Sequence, residues 1–503
     1  MGKKLGIVLF VLAVAMAKAQ SPMYIVSDFA EDDLEVMLHV CDEAGIGQLL
    51  QRHPFITFGH YEWDPKFAKN GDKSVARMVR EAASQGIRLG VFTYQDAISL
   101  NDPYFTPPYF KRLQRQGRVT LFDDLVPEQR DFALRMSESM KAPSSLNLLL
   151  IDDELVSYGT MEPARGLLLL HGCDRGTHGT QAVGHAVTAE AYKIWDSPQR
   201  FVAPDDELRD SVRQNLMDRI EVSGMPYVLY GGGPGQLVLE ESVRVRQVER
   251  WANDEASLKA GGLGWFVIHP SDQKRASTTM EEVEWMLSKV AGFDTGCGWV
   301  IDKITVNEHA GLETMLQKIR QWERLRSSGA LTQTQRELLK DPYMDWHLEQ
   351  LEDTLYQLFP LHISRRYRCS FMETDTGIFT SEPMEWRSEQ DDRFGLRIQV
   401  EGKREIVNPM VNTEKGLVFF PCVIQPGQCL VYDFEDVAKV VDANFNPILE
   451  VVPEGLSKLP EGVSEATLII EMEPDGPLPD VTIRYLIRER PATILLTNED
   501  AEP

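Results

Sequence analysis

The chain has 503 residues, with 52 lysines and arginines against 77 aspartates and glutamates and a net charge of −25. That balance argues against nucleic acid as a partner, because affinity for it rests on neutralising phosphates, and against docking on anionic lipid. Hydrophobic residues make up 43% of the chain, which is ordinary for a globular protein, and the length predicts two or three domains with ample chain for real cores.

The chain opens with Lys3 and Lys4, an uncharged apolar stretch from Leu5 to Ala17, and the small-x-small sequence Ala17-Lys18-Ala19. That order predicts a secretory signal peptide over residues 1–19. The apolar run is shorter than the roughly 20 residues that span a bilayer. The expected mature protein is secreted or periplasmic, with no membrane insertion after cleavage.

From residue 22 short apolar runs alternate with amphipathic helices. Met23 to Val26 reads as a strand. Leu34, Met37, Leu38 and Cys41 then form the i, i+3, i+4, i+7 stripe of a half-buried helix. Phe55 to Phe58 is the next expected strand, and Val75, Met78, Val79 and Ala82 repeat the stripe. Leu89 to Phe92 reads as a third strand. Repeated strand–helix units predict a parallel sheet covered by helices. Residues 119–195 break the pattern with strands at Leu146–Ile151, Glu154–Tyr158 and Leu167–Leu170 and a turn at Arg165-Gly166, so an inserted β subdomain is expected.

The alternation resumes with a helix from Pro204-Asp205 to Gly224 and a strand at Tyr227–Tyr230 running into the glycine run Gly231 to Gly235. A helix through Arg250, a strand at Leu263–Ile268, a helix bearing Val283, Met286, Leu287 and Val290, a strand at Trp299–Ile301 and a helix bearing Leu312, Met315, Leu316 and Ile319 complete it. After about residue 355 short strands and Gly/Pro turns take over, which predicts a β-sandwich. The expected fold is therefore α/β: a (β/α)8-type TIM barrel over 22–350 carrying the β insertion, an all-β sandwich over 358–492, and a disordered tail over 493–503. A doubly wound open sheet is the alternative. None of the six cysteines forms a CxxC pair; Cys422 and Cys429 flank a Pro426-Gly427 turn and are read as buried thiols or a hairpin bridge.

In a barrel, function sits where strands end and loops begin. Those positions here combine aromatics with carboxylates: His60-Tyr61-Glu62-Trp63-Asp64, Tyr94-Gln95-Asp96, Asp102-Pro103-Tyr104, Trp265, His269 and Asp302. Aromatic faces stack on the apolar face of a sugar and acids accept its hydroxyl hydrogens. Two carboxylates flanking a glycosidic bond supply general acid and base or nucleophile. Glu62 and Asp96 are the expected catalytic pair, and His60, Tyr61, Asp102, Tyr104, Trp265, His269 and Asp302 the expected sugar contacts. No cofactor and no metal is expected. Asp152-Asp153-Glu154 reads as a strand bend, Gly231 to Gly235 lacks the GxGxxG and Lys-Ser/Thr features of a phosphate loop, and His178 and His185 read as turn residues.

Several stretches together resemble a group of secreted bacterial proteins associated with polysaccharide degradation. They are Ser27-Asp28-Phe29, Phe58-Gly59-His60-Tyr61, Gly86 to Val91, Asp102-Pro103-Tyr104, Gly264-Trp265, Glu282 to Asp294 and Trp322 to Arg326. The resemblance implies a glycoside-hydrolase-type TIM barrel followed by a β-sandwich. Asp153 to Tyr158 with Cys173 to Thr180 and His185-Ala186-Val187 is similar to a small β module found in such proteins and in phage tail proteins, and implies a structural role. At a middle strand end, where that group implies an Asp-Gly-x-Glu type sequence, this chain reads Tyr230-Gly231-Gly232-Gly233, and Phe92 stands where His is implied. Two functions are therefore expected: a glycoside hydrolase acting on a complex polysaccharide or oligosaccharide, or a glycan-binding barrel without catalysis in a polysaccharide-uptake system. A structural partner of a surface-assembled uptake complex is a third.

Overall fold

The computed structural model describes residues 22–136, 140, 144–197, 199–231, 236–237, 241–254, 258, 262–388, 390–473 and 476–496. The expected signal peptide, most of the glycine run and most of the expected tail lie outside these residues. The chain has a mixed α/β fold with several β-sheets, and it divides into two compact units, Ile25–Gly233 and Met1–Tyr24 with Pro234–Pro503.

In the first unit four parallel strands lie in the order β1 (Tyr24–Ser27), β2 (Gln48–Gln51), β3 (Arg88–Thr93) and β11 (Tyr227–Tyr230), with Ile25 opposite Leu49, Leu49 opposite Leu89 and Tyr227 opposite Gly90. A Cβ on Gly90 would lie 2.3 Å from the Tyr227 ring, so glycine lets that ring cross the strand. Helix α1 (Leu34–Ala44) buries Leu34, Met37, Leu38 and Cys41, the predicted stripe, and stops at Gly45 in the left-handed region at φ 65°. Helix α2 (Asp72–Ser84) buries Val75, Met78 and Ala82. Helix α3 (Asp206–Ser223) starts where Asp205 accepts the Glu207 and Leu208 backbone N–H groups and ends at Gly224, φ 67°.

The second strand is not Phe55–Phe58 but Gln48–Gln51. Buried Gln51 fits because its amide donates to the Phe29 carbonyl at 2.7 Å and accepts the His53 N–H at 2.9 Å. The apolar residues from Phe55 onward are used in a loop instead. Phe55 bridges Trp63, and their rings stack with centroids 4.6 Å apart.

The inserted β subdomain is present. Strands β4 (Arg115–Thr120), β10 (Glu190–Ile194), β6 (Leu148–Ile151) and β7 (Glu154–Ser157) form one antiparallel sheet, and β5 (Phe132–Arg135), β9 (Leu167–His171) and β8 (Thr160–Ala164) another. Leu134, Leu149, Ile151, Val156, Leu168 and Leu170 join them in one core. Arg165 and Gly166, at φ 49° and 82°, make the two-residue turn between β8 and β9.

In the second unit three parallel strands run β12 (Gln236–Leu237), β13 (Trp265–Val267), β14 (Gly298–Val300). They are accompanied by helices α4 (Glu241–Asn253), α5 (Met280–Phe293), α6 (Lys303–Glu308), α7 (Leu312–Ser327) and α8 (Gln333–Leu339). Thr279 and Glu282 close a capping box on α5. The antiparallel region begins at β15 (Asp345–Glu352), paired with β16 (Leu355–Ile363), earlier than the expected onset. These two strands belong to a nine-stranded sheet that stands beside an eight-stranded one, and the single hydrophobic core here includes Trp386, Leu396, Phe420, Ile470 and Ile483. All six cysteines are free thiols, so Cys422 and Cys429 form no bridge.

Candidate functional site

The loops that leave the carboxyl ends of β2 and β3 meet within the first unit. Phe58 and Ser99 tie them together: the Phe58 N–H donates to the Ser99 hydroxyl and the Ser99 N–H to the Phe58 carbonyl, both at 3.0 Å. At this junction stands Asp102, its side chain fully buried. Its Oδ2 accepts the His60 backbone N–H at 2.8 Å, and its Oδ1 accepts the Tyr104 N–H at 2.9 Å and faces His60 Nδ1 at 2.8 Å. An ionised carboxylate only accepts, so in the neutral imidazole Nδ1 carries the proton and Nε2 the lone pair. Among the described residues Nε2 has no hydrogen-bond partner, and the His60 side chain is 35% exposed. The close approach depends on Gly59, at φ 118°, where a Cβ would lie 2.6 Å from Asp102 Oδ1.

Aromatic surface adjoins this dyad. The His60 ring lies against Tyr104 at 4.2 Å, and Tyr104 meets Tyr109 edge-on at 5.3 Å. Asn215, from α3, donates its amide to the Gly59 carbonyl at 2.9 Å and to the Tyr104 hydroxyl at 3.2 Å, fixing the ring beside the loop. Tyr61 is buried and left-handed at φ 51°; its hydroxyl donates to the Tyr94 and Gln95 carbonyls at 2.8 and 2.9 Å and so holds the second loop. Burial raises the Tyr61 phenol well above its ordinary range, with Asp96 and Asp102 adding to the shift.

The other predicted residues are placed differently. Asp96 is gripped by Arg213 of α3, whose Nε and Nη2 each donate to one carboxylate oxygen at 2.7 Å. Glu62 is exposed, while its neighbours Tyr61 and Trp63 turn inward. Trp265, His269 and Asp302 belong to the second unit. Trp265 is in the core there, its indole N–H donating to the Tyr24 hydroxyl at 3.1 Å. His269 is half-buried with Nδ1 3.0 Å from the Pro270 carbonyl, and Asp302 precedes α6. The structure thus brings His60, Asp102 and Tyr104 into contact and keeps Tyr61 and Asp96 in the adjoining loops.

Sequence reasoning singled out neither Asn215 nor Arg213, and quoted Gly59 only as part of the Phe58–Tyr61 stretch. The one signal available was polar residues within an otherwise amphipathic α3. The Asp152–Glu154 bend also holds more than was expected. Glu154 is buried in the β subdomain and accepts Arg175 at 2.6 and 2.7 Å, the Gly176 N–H at 2.8 Å and His185 Nε2 at 2.9 Å, while His185 Nδ1 faces Asp152 at 2.8 Å. Burial pushes the Glu154 carboxyl up, but the Arg175 and His185 hydrogen bonds outweigh it and hold it below the usual range. Each member is occupied by another, which makes this a structural lock. Among the described residues no group of three His, Cys, Asp or Glu is placed to hold a metal ion.

No family model matches the chain, and no curated protein matches it. The solved structures similar to it include glycoside hydrolases. A GH36 α-galactosidase variant from Geobacillus stearothermophilus, in complex with raffinose, is 8% identical with a TM-score of 0.29 and covers 90% of this chain and 56% of its own. An α-galactosidase from Lactobacillus brevis is 10% identical with a TM-score of 0.30, covering 91% and 56%. An α-amylase from Geobacillus thermoleovorans, complexed with acarbose, is 8% identical with a TM-score of 0.30, covering 89% and 98%. The chain therefore spans little more than half the length of these two α-galactosidases.

Proposed function

We propose that this is an exported glycoside-hydrolase-type protein that holds a complex polysaccharide or oligosaccharide on the loops after β2 and β3. The observation that carries the reading is the His60–Asp102–Tyr104 cluster. It offers an aromatic wall for the C–H face of a sugar beside an oriented imidazole lone pair for its hydroxyls. The basic, apolar and small segments of the first nineteen residues support export. A (β/α)-barrel is the architecture we favour, since each parallel strand of a unit lies beside the one before it in the chain. A doubly wound sheet, whose halves are also sequential, is the alternative. The two C-terminal sheets with their shared core are read as a β-sandwich.

Glycan binding without hydrolysis is the reading best supported. Both oxygens of Asp96 are engaged by Arg213 and Glu62 is exposed, whereas hydrolysis by paired carboxylates needs one acid and one free base or nucleophile across the bond. Hydrolysis is supported by His60, an Asp-oriented imidazole with an open Nε2, which is the arrangement of a general base. In that reading Glu62 and Asp96 are the carboxylates, and Asp96 exchanges Arg213 for substrate. Tyr61 holds the loop, and Trp265, His269 and Asp302 are the further sugar contacts to test singly.

The test is incubation of the protein from Gln20 onward with plant, algal and host polysaccharides. Released sugars are followed by chromatography and binding by calorimetry, beside Tyr104→Ala, His60→Ala and Glu62→Gln/Asp96→Asn variants. Binding that Tyr104→Ala abolishes, without release, supports the glycan-binding reading. Release lost in the Glu62→Gln/Asp96→Asn variant establishes a glycosidase. Neither binding nor release on any glycan overturns the proposal.

A further inference from the structure

A cavity of about 680 Å³ opens within the second unit, lined from α4, the start of α5, the segment after β16 and the strands Phe394–Glu401 and Asp480–Arg488. That lies within the range of roughly 300–1,000 Å³ of small-molecule sites. Five arginines line it, Arg244, Arg365, Arg366, Arg397 and Arg484, in a chain whose net charge is −25.

Four carboxylates line the cavity; Glu401 is exposed, and the other three are engaged by protein groups. Glu281 accepts Arg397 at 2.6 Å, Glu282 closes onto the Thr279 N–H at 2.8 Å, and Asp442 accepts the Asn444 and Asn446 N–H groups at 2.8 and 3.0 Å. Arg397 is in turn balanced by Glu281 and Asp433. Arg365 and Arg366 are exposed and have no ion pair among the described residues; Arg365 lies over the Tyr367 ring at 4.7 Å. Arg244 gives one terminal nitrogen to Asp345 at 3.1 Å and lies over Trp285 at 4.8 Å, but its Nε is buried without a hydrogen-bond partner. Arg365 and Arg366 therefore leave guanidinium groups free at this cavity, whose planar fork takes a carboxylate or sulfate oxygen pair and discriminates by geometry. Phe445 adds an apolar wall. It is held left-handed at φ 62°, in a turn where its N–H donates to the Asp442 carbonyl at 3.1 Å. Its ring stacks on His309, with centroids 5.5 Å apart.

We propose that this cavity is a second saccharide site, one that takes a sugar bearing an oxyanion, either a uronate carboxylate or a sulfate ester. The proposal rests on carbohydrate as the ligand class and adds that the glycan is anionic. The arginines take the oxyanion and Phe445 faces the ring.

The experiment is calorimetric titration of the full chain with an oligogalacturonide, a chondroitin sulfate oligosaccharide and a neutral malto-oligosaccharide, at low and raised NaCl. It is run on the wild type and on Arg365→Ala/Arg366→Ala, Phe445→Ala and Tyr104→Ala variants. Arg365 and Arg366 are exposed, so their removal does not threaten the fold. The expected result is binding of at least one anionic oligosaccharide that weakens with salt and falls tenfold or more in both the arginine and the Phe445 variants while Tyr104→Ala retains it. Whether the oligogalacturonide or the sulfated sugar binds identifies the oxyanion. Absence of anionic binding, or anionic binding indifferent to the arginine variant, overturns the proposal. If the neutral sugar binds and only Tyr104→Ala removes it, the cavity proposal fails while the strand-end site stands. If anionic binding depends on the arginines and no glycan responds to Tyr104→Ala, the strand-end site fails while the cavity stands.

Discussion

Asp102→Asn is the sharpest probe of the strand-end site, because it changes charge and donor pattern at constant shape. The wild-type carboxylate receives three N–H groups, from the His60 backbone, His60 Nδ1 and the Tyr104 backbone. Asparagine has one acceptor oxygen and one NH2. If the oxygen keeps the His60 backbone N–H, the NH2 points at His60 Nδ1 and at the Tyr104 N–H. His60 must then move its proton to Nε2 so that Nδ1 can accept, and the Tyr104 N–H is orphaned in a buried site. One orphaned donor costs about 1–3 kcal/mol, and replacing charge-assisted bonds by neutral ones about 1 kcal/mol more, partly offset because no charge is left buried. The net expectation is a loss of about 2–3 kcal/mol, which for a unit of this size lowers Tm by roughly 5–10 °C. Thermal unfolding measures the first effect. Nitrogen-15 spectra of histidine-labelled protein read the second, with His60 passing from the Nδ1–H to the Nε2–H form. A Tm within about 1 °C of wild type would refute this account of the dyad, since either orientation of the amide orphans one backbone N–H.

Four further outcomes are expected. Gly59→Ala places a methyl 2.6 Å from Asp102 Oδ1 at φ 118°, so it should cost about 3 kcal/mol in denaturant titration and displace His60. Lys289, buried on α5, donates to the Leu339, Asp341 and Met344 carbonyls at 2.9, 2.6 and 3.1 Å; Lys289→Met strands all three and should cost about 3 kcal/mol. Glu154→Gln leaves Arg175 and His185 facing a neutral amide, and should destabilise the β subdomain by about 3–5 kcal/mol, read as faster limited proteolysis between residues 115 and 194. The Glu284–His347 pair sets a pH window. Burial opposes both charges, but their mutual attraction lowers Glu284 from 4.5 to about 2 and raises His347 from 6.5 to about 9. The His347 contribution is complete below pH 6.5 and lost as pH rises through 9, and that of Glu284 is complete above pH 4.5 and lost as pH falls through 2. His347→Phe should therefore flatten the alkaline limb of the stability profile, and an undiminished limb would exclude the pair as its source.

How much of this was legible in the sequence depended on whether local pattern and tertiary burial agree. The stripes at Leu34–Cys41 and Leu312–Ile319 were readable because each helix has one face against a sheet or neighbouring helix, and burial follows the 3.6-residue period. Gln48–Gln51 was not readable, because Gln51 is buried on the strength of a hydrogen bond to the Phe29 carbonyl, 22 residues away. Phe55–Phe58 misled for the opposite reason: its aromatics pack on Tyr61, Trp63 and Phe201 across a loop rather than on a sheet face.

The site divides along the same line. His60, Asp102 and Tyr104 were identified as residue types at strand ends, but their joining spans 42 residues and is decided by a glycine whose missing side chain makes room for a carboxylate. Asp96 was chosen for its position after β3, and its partner Arg213 lies 117 residues away. Nothing near Asp96 in the chain distinguishes a carboxylate awaiting a substrate from one already occupied. Glu62 stands two residues from His60, yet inward Tyr61 and Trp63 flank it, so that it faces solvent while they bury. Sequence position thus placed these residues in loops that the fold brings together, whereas the partner of each carboxylate depends on distant chain. The Arg213 side of that question can be decided directly. Arg213→Gln frees Asp96 at small cost, since a half-exposed ion pair contributes about 0–1 kcal/mol. If Asp96 serves a sugar, glycan affinity or turnover should rise when Arg213 is removed and fall when Asp96 is. If Asp96 serves only to anchor α3, both variants should lose affinity together as the loop loosens.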